Sequence, residues 1–332
     1  MDNVLIAVFG AAGTGKTTFI NDASRAGLPT HREPQPYTAS VQQSPIFRID
    51  RTNVVLFDMP SFDDAYLSEA EILKCISEYL AALYRNGSKL TGIIYMHRIT
   101  DTGISGIARR TFKLFLQLCG KESLPNVLIV TNMWSHSLTQ PQINREAELC
   151  TYPDFFQSAI EQGATMARRF QKSHRSAEMI IRVLASKAPI VMQIQQELVD
   201  QGKSLSDTAA WQELERNLTM APERLKVEMG EHQAQLENRR EAGDDSDRDD
   251  LLRYQQDVKA AEERFVGELA ALRKGYEDAR WNRQAERIRD EIKEIEACQR
   301  AVREGLEAAL RQQEASENQL RDFQRRLADL GI

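Results

Sequence analysis

Short unbroken apolar runs alternate with stretches of helical periodicity along roughly the first 200 of the 332 residues. Val4-Leu5-Ile6-Ala7-Val8-Phe9, Val54-Val55-Leu56-Phe57, Ile93-Ile94-Tyr95-Met96 and Val127-Leu128-Ile129-Val130 are rich in branched side chains and lack the polar alternation of a half-exposed strand. They read as strands buried on both faces. Between them, residues 17–26, 67–85 and 104–119 carry apolar positions at helical spacing. A further helix from about Asp154, a weaker strand near residues 164–170, a helix from Ser176 and a last helix over 190–201 complete the pattern. Strands alternating with helices predict an α/β domain, a mainly parallel sheet with helices on both faces.

After Pro189 the strand pattern stops. Gly202-Lys203-Ser204-Leu205-Ser206 reads as a linker with a helix N-cap signal, and Gly243-Asp244-Asp245-Ser246-Asp247 as a polar turn. From Leu251 onward the periodicity is helical almost throughout. Between Ala285 and Leu330 the apolar positions, Ile288, Ile292, Ile295, Val302 and Leu306 among them, are spaced alternately three and four, a heptad seam broken at Gln299, Gln313 and Ser316. The upstream phase through Phe265, Leu269 and Leu272 does not join it cleanly, which predicts a stutter or bend near Trp281. Eighty helical residues would reach roughly 120 Å, and so exposed a seam needs a partner. Either the segment before Gly243 folds back on it or a second chain supplies the facing stripe. The expected organisation is therefore a domain over 1–200, a linker and helical segment over 201–250, and an all-α coiled-coil helix over 251–332.

Composition narrows the class. A formal net charge of -6 argues against a general nucleic-acid binder, which concentrates basic surface. No apolar run approaches the roughly 18 to 20 residues that span a bilayer, so no transmembrane segment is expected and the cytosol is the expected location. Cys75, Cys119, Cys150 and Cys298 have neither metal-ligand nor redox spacing and read as reduced thiols.

The chemistry lies in Gly10-Ala11-Ala12-Gly13-Thr14-Gly15-Lys16-Thr17, which matches the phosphate-loop pattern at every required position and sits between a strand and a helix. In such a loop, glycines turn backbone N–H groups onto phosphate oxygens and the helix N-terminus adds partial positive charge. The lysine reaches the β- and γ-phosphates, and the hydroxyl binds Mg²⁺. The expected nucleotide-binding set is Gly10, Ala12, Gly13, Thr14, Gly15, Lys16, Thr17 and Thr18, with Lys16 also in a catalytic role. Asp58 follows the second strand directly, where phosphate-loop enzymes place the carboxylate that holds Mg²⁺. Thr38, in the stretch between the two, is the candidate to complete the metal shell in the triphosphate state. Ser40 and Thr30 are its rivals.

Asp58-Met59-Pro60-Ser61-Phe62-Asp63-Asp64 resembles the Asp-Thr-Pro-Gly-Phe-Asp-Asp switch of the immune-associated, chloroplast-import and septin branch of GTPases. Ile94-Tyr95-Met96-His97-Arg98-Ile99 and Val130-Thr131-Asn132-Met133-Trp134 are similar to runs in G-domain proteins that also carry coiled-coil tails. The resemblance covers about residues 4–200. It implies a G-domain fold that binds GTP or GDP with Mg²⁺ and dimerises across the nucleotide face.

Two positions depart from that pattern. The guanine-reading motif Asn/Thr-Lys-x-Asp ends in a carboxylate that accepts the N1 and N2 protons, and here Trp134 stands in its place. Asn132 and Trp134 are still expected to flank the base, Trp134 by stacking or as a buried structural side chain, with Lys172 and Ser173 closing the pocket. Ser61 replaces the usual glycine, although its backbone N–H can still face the γ-phosphate. Phe62 stands where small GTPases carry a water-orienting glutamine. Hydrolysis is thus expected to be slow unless a partner or second protomer supplies a group. Arg98, Arg109 and Arg110 are candidate donors or ordinary solvated arginines, and His97 either contacts nucleotide or a neighbouring subunit or is a hydrogen-bonded loop residue.

The reading is a GTP-dependent switch or assembly protein that associates through its G domain, its tail or both, with the tail also a candidate surface for a protein partner. An ATP-dependent enzyme and a hydrolysis-deficient nucleotide-binding scaffold are its rivals.

Overall fold

The strand β1 (Val4–Gly10) is buried along almost its whole length, and its alternate side chains serve two different layers. Val4, Ile6 and Val8 join Phe19, Ile20, Ile94, Met96, Val130, Ile181 and Leu184 in one core. Phe9 points the other way, its ring centroid 5.2 Å from that of Phe115. A strand with no polar face needs cover on both sides, and here helices provide it.

The computed structural model describes residues 3–29, 40–64, 67–101, 106–135 and 137–220. Within these, β1 is flanked in parallel by β4 (Thr52–Asp58) and β5 (Gly92–Arg98), and β6 (Val127–Asn132) and β7 (Thr165–Arg168) extend the sheet in parallel. The far edge is antiparallel: β2 (Gln42–Gln43) and β3 (Phe47–Ile49) both pair with β4. The path is therefore β2-β4-β1-β5-β6-β7, with β3 beside β4.

Helix α1 (Lys16–Ser24) and helix α6 (His174–Ala185) cover the face that carries Ile6 and Val8. A Cβ on Gly92 would lie 2.8 Å from the Leu184 side chain, so the glycine lets α6 approach β5 closely. Helices α2 (Glu69–Arg85) and α3 (Gly106–Cys119) cover the opposite face. Phe57 meets Tyr79 of α2 at 5.6 Å, and Tyr95 meets Phe112 of α3 at 4.9 Å, both edge-on. Ser68 and Glu71 form a reciprocal capping box at the start of α2, satisfying amides that helix geometry leaves orphaned.

Beyond β6 the chain forms α4 (Gln140–Thr151), a kinked π turn over Pro153–Gln157 and a short α5 (Ser158–Glu161). The helix expected from Asp154 is thus the end of a bent helical region, interrupted at Phe155 (φ -134°, ψ -119°). After α6, a turn of helix at Gln193–Gln195 continues into a π turn, and a helix over 209–220 buries Ala210, Leu214 and Leu218. The Ala209 N–H at its start donates to the Glu197 carboxylate at 3.2 and 3.3 Å. Cys75 and Cys119 are buried and Cys150 half-buried, none of the three in a disulfide. Among the described residues no helix is long and apolar enough to cross a membrane. The heptad seam, the linker beyond residue 220, Cys298 and the switch candidates Thr30 and Thr38 lie outside the described residues.

The parallel register decides what meets at the carboxyl edge of the sheet. Asp58 lies opposite Val8, Met96 opposite Gly10, and Asn132 opposite Arg98. In open α/β sheets this is the edge that forms ligand crevices.

Candidate nucleotide site

β1 ends at Gly10, and the chain turns through residues 11–14 to Gly15, which precedes the first turn of α1. Gly10 and Gly15 have φ of 143° and 92°, outside the range that side chains tolerate well. A Cβ would also fall 2.4 Å from the Met96 carbonyl oxygen at Gly10 and 2.9 Å from Asn132 Nδ2 at Gly15. The loop is therefore pressed against the ends of β5 and β6 in a way that only glycine permits. The amides of the first turn of α1 have no intrahelical acceptor, and Gly15 offers no side-chain cap, which leaves an electropositive helix end above the crevice.

Lys16 is 8% exposed and turns back over this loop. Its Nζ donates to the carbonyls of Gly10 (2.9 Å) and Ala11 (3.1 Å) and to Ser61 Oγ (2.5 Å). Burial pulls the ammonium pKa down, while the carboxylates of Asp58, Asp63 and Asp64 act to keep it charged. Thr17 Oγ1 donates to Asp58 Oδ2 at 2.5 Å, so a hydroxyl from α1 and a carboxylate from β4 share one point at the mouth of the loop. This all-oxygen pair suits Mg²⁺, which binds through one or two carboxylates and completes its shell with phosphate and water. Asp63 reaches the loop as well, Oδ1 accepting from the Ala12 N–H at 2.8 Å. Thr14 is buried, its hydroxyl donating to the Ala11 carbonyl at 2.8 Å. Thr18 is half-buried in the first turn of α1.

At the end of β6, Asn132 is 1% exposed and Nδ2 donates to the Thr14 carbonyl at 2.9 Å, fastening β6 to the loop. Trp134 is also buried. Its Nε1–H is spent on the Thr131 carbonyl (3.1 Å) and hydroxyl (3.2 Å), and its ring carries the Arg168 guanidinium at 5.0 Å and Phe170 at 5.6 Å. Ser173 caps α6 by accepting from the Ser176 N–H at 3.3 Å, and Lys172 is exposed next to it. Arg169 is 1% exposed beneath this region. Its Nη2 donates to Asp22 Oδ2 at 2.5 Å, its Nε to Ser176 Oγ at 3.3 Å, and its guanidinium lies 5.0 Å from the Phe19 ring.

Phe62 is 6% exposed, so its ring belongs to the packed interior. Arg98 pairs with Asp101 at 2.9 Å, and its Nη1 would lie 3.2 Å from a Cβ on Gly13, beside the loop. Arg109 donates instead to the Tyr152 hydroxyl at 3.1 Å. His97 is 6% exposed and meets Phe155 and Phe156 edge-on at 5.5 and 5.4 Å. Burial there lowers its pKa to about 4, with Asp101 opposing and Arg98 and Arg145 adding to the shift, so the ring is neutral at pH 7.

Three contacts were not anticipated from the sequence: Asp63 on Ala12, Lys16 on Ser61, and Arg169 on Asp22. The acidic pair Asp63-Asp64 behind Ser61 is a visible signal for the first. Nothing in the local sequence marks Arg169 as a buried tie.

No protein-family model matches the sequence, and no curated protein matches it. Among solved structures, the chain is similar to a dimerization-deficient mutant of Toc33 from Arabidopsis thaliana, at 13% identity and a TM-score of 0.45 over 57% of this chain and 88% of that one. It is also similar to the elongation factor SelB from Methanococcus maripaludis, at 14% identity and a TM-score of 0.38 over 57% and 35% of the two chains. A variant of Era from Aquifex aeolicus aligns at 13% identity and a TM-score of 0.39 over 57% and 58%. On its own strand order, glycine loop and acidic end of β4, this chain has the phosphate-loop nucleotide-binding fold in its G-domain form.

Proposed function

We propose that the chain is a guanine-nucleotide-binding switch or assembly protein with slow GTP hydrolysis. The observation that carries the reading is the convergence of Lys16, the Thr17–Asp58 pair and the Asn132 tie on one glycine loop. In this reading the loop amides and Lys16 bind the phosphates, Thr17 and Asp58 hold Mg²⁺, and Asn132 and Trp134 border the base. Thr38 joins the metal shell in the triphosphate state. Ser61 offers its backbone N–H to the γ-phosphate. Guanine preference rests on the sequence resemblance. Slow chemistry follows from the buried Phe62, which offers no group to orient water. Self-association through the nucleotide face or the heptad seam, a protein partner on the tail and a cytosolic location belong to the same proposal.

A second reading is favoured by Trp134, whose only hydrogen-bond donor is already engaged by Thr131. With no carboxylate at that position, the site would accept adenine as well, and the chain would be an ATP-dependent enzyme or a nucleotide-binding scaffold.

Titration of GTP and ATP analogues against the full chain, with hydrolysis followed in the same samples, tests the proposal. Expected results are GTP at least about tenfold tighter than ATP and a loss of at least about tenfold in Lys16→Ala, roughly 1.4 kcal/mol. Turnover should fall below the roughly 1–100 s⁻¹ of efficient phosphoryl-transfer enzymes. Equal affinity for the two bases would favour the second reading, and unchanged binding in Lys16→Ala would remove the phosphate-loop assignment.

A further inference from the structure

The Asp63 carboxylate is attached to the phosphate loop itself, accepting from the Ala12 N–H at 2.8 Å across 51 residues of sequence. Two residues earlier, Ser61 Oγ accepts from Lys16 Nζ. The segment after β4 is thus folded down onto the loop, with a hydroxyl on the ammonium and a carboxylate on an amide. A bound nucleotide calls on the same donor types: loop N–H groups and the lysine take phosphate oxygens. The charge of Asp63 is also felt at Lys16, where it helps to hold the proton.

We propose that Asp63 is a built-in anion that determines whether the site prefers a nucleoside diphosphate or a triphosphate. The inference rests on the nucleotide-binding reading above and adds a specificity-determining residue to it. Lys16 must release Ser61 to reach phosphate oxygens in either state, whereas the bond between Asp63 and the Ala12 N–H is a separate one that does not have to break with it. A diphosphate adds no charge at the terminal position, and Asp63 remains on Ala12. A triphosphate brings further negative charge to the loop that the carboxylate occupies, and a like charge there disfavours the ionised Asp63 on Ala12. The carboxylate then leaves the loop.

Asp63→Asn keeps the size of the side chain and an oxygen able to accept from Ala12, and removes only the charge. Affinities of the full chain for GDP and for a non-hydrolysable GTP analogue, both with Mg²⁺, are measured for the parent, Asp63→Asn and Asp64→Asn. The expected result is a rise of about fivefold or more in the ratio of triphosphate to diphosphate affinity in Asp63→Asn. GDP binding should stay within about twofold, and Asp64→Asn should stay close to the parent ratio. Nucleotide binding with an unchanged ratio in Asp63→Asn overturns the inference and leaves the nucleotide-binding reading standing. An equal rise in Asp64→Asn overturns it too, because the effect would then be one of general charge. Absence of binding of either nucleotide to the parent overturns both.

Discussion

Asn132, at the end of β6, donates its side-chain amide to the main-chain carbonyl of Thr14, 118 residues earlier, at 2.9 Å. Both residues are at most 1% exposed, so the bond is made away from water. Asn132→Ala strands a buried carbonyl, which costs about 1–3 kcal/mol. It also releases the loop from the strand that positions it. Urea unfolding of the variant should show that loss, and nucleotide affinity should fall by about fivefold or more. A variant as stable as the parent with unaltered affinity would show that the bond does not position the loop.

Asp58 and Thr17 meet at 2.5 Å, and the metal-binding role proposed for the pair is tested by metal dependence. In Asp58→Asn, nucleotide affinity measured with Mg²⁺ should drop by about tenfold or more, while affinity in EDTA should stay within about twofold. Equal losses in the two conditions would place the effect in folding and not in metal binding.

His97 supplies a pH dependence. Its pKa falls from 6.5 to about 4 in the folded chain, first through burial. Between those values the unfolded chain binds a proton that the folded one refuses. The contribution of His97 is therefore complete above pH 6.5 and is lost as the pH falls toward 4, by on the order of 3 kcal/mol. Urea midpoints followed from pH 7 to pH 4 should decline more steeply in the parent than in His97→Gln. Parallel declines would place the acid sensitivity in other groups.

The phosphate loop and the four long strands were legible because their signals are local: a fixed spacing of glycines before Lys16, and apolar runs with no polar partner. α4 was missed because only Leu149 is buried in it, so the helix has no apolar stripe to betray its period. β2 and β3 are two and three residues long and take their identity from pairing with β4, which no local pattern encodes. Phe155 and Phe156 read as helix, but their stacked rings at 4.1 Å fill a cluster with Phe112 and His97 that bends the backbone. Within the candidate site, Lys16 stands out by the glycine spacing before it and Asp58 by the apolar strand it follows. The contact between Ala12 and Asp63 depends on how β4 is registered against β1, and becomes visible only once Asp58 lies beside Val8.

Arg169 gives the site its mechanical asymmetry. By holding Asp22 on α1 and Ser176 on α6, it welds the helix that begins at the glycine loop to α6 and to the end of β7. His174 adds a second rivet through its Nδ1 contact with the Asp22 carbonyl at 2.8 Å. One side of the site is thus tied by several bonds, whereas on the other Ser61 and Asp63 rest on the loop through one hydrogen bond each. Hydrogen exchange should register that division as slow amides through α1 and a fast amide at Ala12.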